Sequence, residues 1–158
     1  MSLIGESSRG TVTAMQDMIW AIQPQNDNMC QVVVRMQEYG YPLAELKNIT
    51  LSIDVDDDVQ NLVLNTGMRK NIYLIFKEAL NNAFKYALST RITISMTKKH
   101  HLLILKIADN GAGFDALLIK AGNGLRNMQK RAAQAGGEIF IDSYPGRGTV
   151  IVFSCPVI

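Results

Sequence analysis

Apolar residues recur at helical spacing through Val12, Met15, Met18, Ile19 and Ile22, and the pattern breaks at Pro24-Gln25-Asn26-Asp27. A second helical period runs through Met29, Val32, Val33, Met36 and Tyr39; Asn26 or Asp27 is placed to cap it, and Gly40 and Pro42 are expected to kink or end it. These two helices have little company of their own and read as part of a hairpin packed on something else. After Lys47 the period becomes two, since Ile49, Leu51, Ile53 and Val55 alternate with Thr50, Ser52 and Asp54, which predicts a strand. The longest helix is predicted over 67–88, with Met68, Ile72, Ile75, Phe76, Ala79, Leu80, Ala83 and Ala87 along its buried stripe. Strands are predicted over 91–97 and 102–108, joined by Lys98-Lys99-His100-His101 as a polar hairpin tip. A glycine-rich stretch over 109–124 leads into a helix over 125–135 that stops at Gly136-Gly137. Strands over 138–142 and 149–155, around a Tyr144-Pro145-Gly146 turn, finish the chain. Hairpin strands with grouped helices predict an α+β fold, a two-layer sandwich with helices on one face of a mixed sheet.

Composition narrows the chemistry. The 158 residues suit one domain, and 16 Lys+Arg against 14 Asp+Glu give a formal charge of +2, too little to argue for nucleic acid as partner. No apolar run approaches the ~18 residues of a membrane span. Cys30 and Cys155 lie far apart and outside any C-x-x-C pattern, so neither a disulfide framework nor a zinc site is encoded, and a reducing compartment fits best. Histidine occurs only at positions 100 and 101, which leaves little room for imidazole chemistry. Met1-Ser2-Leu3 lacks the features of a signal peptide and reads as an expression scar, so residues 1–10 are set aside from the fold.

Four segments carry candidate chemistry. On the long helix, Glu78 and Asn82 stand one turn apart on one face with Lys85 a turn further; a carboxylate above a carboxamide suits a hard cation, and the lysine a phosphate. By itself such a triplet is also what a solvated helix face looks like. Asp109-Asn110-Gly111-Ala112-Gly113-Phe114 follows an apolar strand, so a fixed carboxylate stands beside bare backbone, where it can accept a hydrogen bond from an exocyclic amine. Gly122-Asn123-Gly124-Leu125 opens a helix, and free amides there suit phosphate. Gly146-Arg147-Gly148-Thr149 enters the last strand, where a plain hairpin turn is the simpler reading. Two other patterns fail. Gly111 to Ala116 fits G-x-G-x-x-A without the βαβ continuation, and Asp54 to Asp58 opens like a calcium loop but has Val59 and Asn65 at the sixth and twelfth positions, so it reads as a solvated loop. No P-loop pattern occurs.

In this order the four segments resemble the N, G1, G2 and G3 boxes of the ATPase superfamily shared by histidine kinases, DNA gyrase, the ninety-kilodalton heat-shock chaperone and mismatch-repair ATPases. The N box is Glu78 to Ala87, and the resemblance covers about 49–155. The run Gly124-Leu125-Arg126-Asn127-Met128-Gln129-Lys130-Arg131-Ala132 is similar to that of two-component sensor kinases of the nitrate-response type, and Met15 to Pro24 looks like the end of their second dimerisation helix. Tyr86 replaces a histidine common there, and only about ten residues separate the G1 and G2 boxes, so the nucleotide lid is expected to be short.

The resemblance implies a Bergerat-type ATPase fold over 46–158 behind a partial dimerisation region over 11–45. It implies that Asp109 bonds the adenine amine, that Gly111, Gly113 and Thr149 shape the base pocket, and that Asn82 ligates Mg²⁺ on the phosphates of ATP. Glu78 would orient the acceptor, Lys85 would hold phosphate, and Gly122, Gly124 and Leu125 would cover the phosphate chain. The implied reaction carries the γ-phosphoryl group of ATP to a histidine for relay to a response regulator. His100 and His101 sit at a hairpin tip rather than on an acidic helix, so the acceptor is expected in the dimerisation region of a longer, homodimeric parent. The domain would be cytoplasmic, with an inner-membrane anchor on the parent left open. A serine kinase of the anti-sigma-factor type and a non-catalytic scaffold remain as alternatives.

Overall fold

The alternation of apolar and polar residues in the central strands decides which face of the sheet is covered. In a computed structural model of the chain, which describes residues 12, 15–20, 23, 28–86, 88–115 and 123–157, five strands form one sheet in the order β1-β2-β3-β5-β4. These are β1 (Thr50–Val55), β2 (Arg91–Lys99), β3 (Leu102–Asp109), β4 (Glu138–Ser143) and β5 (Thr149–Pro156). β1 runs parallel to β2 and every other pairing is antiparallel, so the sheet is mixed as expected. Ile92, Ile94 and Met96 of β2, Leu103, Leu105 and Ile107 of β3, and Ile151, Phe153 and Cys155 of β5 point to one buried face, while Thr93, Lys106 and Phe140 are exposed.

The helices are α1 (residues 15–20), α2 (Met29–Leu46), α3 (Asp57–Gln60), α4 (Thr66–Tyr86) and α5 (Asn123–Gln134). α4 buries Ile72, Ile75, Phe76, Ala79, Leu80 and Ala83 as its periodicity predicts, and adds Tyr73, whose flank is covered by Trp20. The acidic run expected as a solvated loop is instead partly the short helix α3: its acids are exposed, but Val59 is fully buried and anchors the turn.

Two expectations for the N-terminal third change. α2 neither ends nor breaks at Gly40 and Pro42. Pro42 is exposed, so water reaches the carbonyl that its missing N–H leaves unpaired, while the buried Met36, Gly40 and Ala44 hold the helix down on the opposite side. A Cβ at Gly40 would lie 2.9 Å from Leu51 Cδ2, and this close approach is why glycine stands there. The cap is Asn28, whose Oδ1 accepts from Gln31 N at 3.1 Å, rather than Asn26 or Asp27. Met29, Val32, Val33 and Met36 of α2 belong to the same core as α4 and the sheet.

Candidate functional site

The ends of β3 and β5 bring two of the glycine segments together. Gly113 has φ +64°, and a Cβ on it would fall 2.1 Å from the Tyr144 carbonyl oxygen; Gly148, at φ +76°, stands equally close to the Asp109 carbonyl. Only bare backbone fits either approach. Gly146 N donates to Ala112 O at 2.6 Å and Phe114 N to Ser143 Oγ at 2.9 Å. Ser143 Oγ also pairs with Thr149 Oγ1 at 2.8 Å, both hydroxyls being buried. The segment that looked like a plain hairpin turn is therefore the wall against which the Asp109 to Phe114 loop is built.

Asp109 stands at the end of β3 and accepts from Gly111 N at 2.9 Å. Burial pushes its carboxyl above the usual value, opposed by hydrogen bonds from the backbone of Gly111 and Thr149. Asn110 clamps the loop to the start of β2: its Oδ1 accepts from Thr90 N and Arg91 N at 3.0 and 2.9 Å, and its Nδ2 donates to Thr90 Oγ1 at 2.9 Å.

On the other side of the site α5 packs along α4. Gly124, in the first turn of α5, faces Glu78 so closely that a Cβ there would lie 2.2 Å from Oε1. Glu78 and Asn82 are half-buried, Lys85 is exposed, and Leu125 packs against the core. On the same face of α5 as Gly124 lies Arg131; burial lowers its pKa and the nearby Glu78 charge opposes that. Gly122 lies outside the described residues. His100 and His101 form the exposed turn between β2 and β3, and Lys98 and Lys99 belong to β2 rather than to the tip.

Among the described residues no three His, Cys, Asp or Glu side chains gather to hold a metal ion. Glu78 and Asn82 offer only a carboxylate and one amide oxygen. Such a set fits a small hard cation that takes its remaining ligands from water and substrate phosphates, not an ion caged by protein.

Sequence reasoning missed Ser143, Asn110 and the contacts of α1. Ser143 carried a weak signal as a hydroxyl ending a strand just before the turn. Asp17 is buried, with Oδ1 2.9 Å from Arg35 Nη2 and Oδ2 2.6 Å from Lys77 Nζ. Among the described residues of α1, Met15, Met18 and Ile19 are 57%, 48% and 52% exposed, while Trp20 is half-buried.

Comparison with known proteins bears on the family and the fold. The chain is 34% identical over 106 residues to the sensor histidine kinase LiaS of Bacillus subtilis, a match covering 66% of this chain and 29% of that protein. It is 31% identical over 101 residues to the sensor protein VraS of Staphylococcus saprophyticus, covering 63% and 29%. The chain thus spans under a third of the length of these relatives. The fold superposes on the Acinetobacter baumannii histidine kinase AdeS with a TM-score of 0.70 at 16% identity, over 99% of this chain and 85% of that one. On the catalytic domain of the histidine kinase ThkA the TM-score is 0.67 at 16% identity, over 82% and 93%. Residues 67–158, which hold every box residue described above, match the family model for histidine kinase-, DNA gyrase B- and HSP90-like ATPases, and the chain belongs to that family.

Proposed function

We propose that this domain binds Mg-ATP and transfers the γ-phosphoryl group to a histidine outside the 158 residues, for relay to a response regulator. The observation that carries the reading is the close approach of Glu78 to the bare backbone of Gly124, which joins α4 to the glycine turn. Asp109 accepts a hydrogen bond from the adenine amine beside Gly111, Gly113 and Thr149. Lys85 and the amides around Gly122, Gly124 and Leu125 meet the phosphates. Asn82 holds Mg²⁺, which when bound neutralises charge on the phosphates. Glu78 orients the incoming imidazole: its nitrogen bonds to the γ-phosphorus as the bond to the bridging oxygen breaks, and ADP leaves. The parent is read as a homodimer whose dimerisation region includes α1, with this domain on the cytoplasmic side. Among the described residues no helix is long and apolar enough to cross a membrane.

Titration of the chain with ATP tests binding first. Mg-dependent binding that Asp109→Asn weakens at least tenfold is expected, whereas binding indifferent to that change favours a scaffold. Transfer is tested with γ-labelled ATP on a longer chain that carries the upstream helices. Acid-labile, alkali-stable phosphate is expected on that longer chain and not on the 158 residues alone; label on the short chain would place the acceptor at His100 or His101 and overturn the reading.

A further inference from the structure

Ser143 ends β4 as a buried hydroxyl that meets three groups. Phe114 N donates to its Oγ at 2.9 Å, Gly148 O lies 3.2 Å away and Thr149 Oγ1 2.8 Å away. A serine hydroxyl has one proton to give and two lone pairs to offer. A backbone N–H can only donate and a carbonyl oxygen can only accept, so Phe114 takes one lone pair and Gly148 takes the proton. The second lone pair is what remains for Thr149, whose hydroxyl is therefore the donor of that pair. Both donors of Thr149 are then engaged within the protein, the O–H on Ser143 and the backbone N–H on the Asp109 carboxylate. Its Oγ1 keeps acceptor capacity alone. Asp109, the residue opposite Thr149 across β3 and β5, also offers only acceptors when ionised.

We propose that Ser143 is a specificity-positioning residue: by drawing the Thr149 proton to itself it makes this edge of the base pocket present acceptors only, which selects a 6-amino purine and rejects a 6-oxo purine. An exocyclic amine brings two N–H donors to such an edge. A 6-oxo purine brings a carbonyl oxygen to the same place, where it meets lone pairs and a negative charge. A site built to hydrogen-bond one group discriminates strongly against an analogue that leaves its polar atoms unpaired. Ser143 is buried and acts through Thr149. The inference rests on the proposed assignment of Asp109 and Thr149 to the adenine pocket.

Titration of the chain with Mg-ATP and with the magnesium salt of inosine triphosphate tests it, because inosine carries an oxo group in place of the 6-amine and a proton on N1. The quantity read is the ratio of the two dissociation constants. Wild type is expected to prefer ATP by roughly tenfold or more. In Ser143→Ala the Thr149 hydroxyl is free to turn its proton to the pocket and donate to a 6-oxo group, so the preference should fall by roughly fivefold or more. Loss of the Phe114 hydrogen bond alone would weaken both nucleotides alike; an unchanged ratio in Ser143→Ala therefore overturns the proposal. Thr149→Val removes the hydroxyl that Ser143 orients and carries the test should Ser143→Ala not fold. It should lower the ratio by itself, and adding Ser143→Ala to it should lower the ratio no further. An unchanged ratio in Thr149→Val, or a further fall in the double variant, also overturns the proposal. Wild type that binds neither nucleotide overturns the proposed function and this inference with it, whereas wild type that prefers ATP while Ser143→Ala keeps that preference overturns this inference alone.

Discussion

Gly124 leaves open the space that the Glu78 carboxylate occupies: a Cβ at residue 124 would stand 2.2 Å from Oε1 and 3.1 Å from Cδ of that side chain. The neighbour is the far end of a flexible side chain, not backbone, so Gly124→Ala is accommodated by turning Glu78 aside. Within a helix the change also favours folding by up to ~1 kcal/mol. Thermal unfolding of Gly124→Ala is therefore expected at or slightly above the wild-type midpoint, while phosphoryl transfer by the longer chain falls by an order of magnitude or more. A variant that keeps full transfer would remove Glu78 orientation from the mechanism.

Gly113 predicts the opposite pairing of effects. Its φ of +64° is unfavourable for any side chain, and a Cβ would meet the Tyr144 carbonyl oxygen at 2.1 Å, where only backbone can yield. Gly113→Ala should cost about 3 kcal/mol, combining the left-handed penalty with forced repacking. Urea unfolding measures this as a lower midpoint at unchanged slope. A loss below about 1 kcal/mol would mean that the β4–β5 turn is not held against residue 113 in solution.

Much of this site was legible because its signals are local. The alternation of Ile92, Ile94 and Met96, then of Leu103, Leu105 and Ile107, specifies a buried sheet face from sequence alone, and the box glycines mark where backbone needs room. What stayed hidden depends on partners distant in the chain. Pro42 reads as a break until Met36, Gly40 and Ala44 are seen to be packed on the far side of the same helix. Asp17 lies 18 residues from Arg35 and 60 from Lys77, separations that no periodicity records. Asn28 took the cap from its neighbours because its side chain reaches Gln31 N, a choice among three adjacent polar residues that composition cannot rank.

The two thiols should separate cleanly by environment. Cys30 is exposed on the first turn of α2, whereas Cys155 is fully covered in β5, with its pKa pushed up to about 11 by burial. Reaction with an aromatic disulfide reagent at neutral pH should release one equivalent quickly and the second only as the domain unfolds, at the unfolding rate. Cys30→Ser should abolish the fast phase and leave the slow one. Two fast equivalents in the native protein would contradict the packing of β5 beneath the helices.

Asp109 yields a pH dependence with a definite sign. Its carboxyl titrates above its ordinary value of 3.8 in the folded chain because burial disfavours the charge, despite the hydrogen bonds from Gly111 and Thr149. The folded state therefore holds this proton more tightly than the unfolded state does. Its contribution lowers stability as pH rises from 3.8 through the raised value, and the cost is complete above it. Asp109→Asn removes that titration, so the variant should be no less stable than wild type at neutral pH, and its advantage should vanish in acid. Nucleotide binding runs the other way. Only the ionised carboxylate accepts from the adenine amine with both oxygens, so ATP affinity should fall as pH drops through the raised Asp109 value. ATP binding in that window should release protons, seen as a buffer-dependent enthalpy in calorimetry, and the release should be absent in Asp109→Asn. An Asp109→Asn variant that is less stable than wild type at neutral pH would show that the Gly111 and Thr149 hydrogen bonds outweigh the burial of the charge.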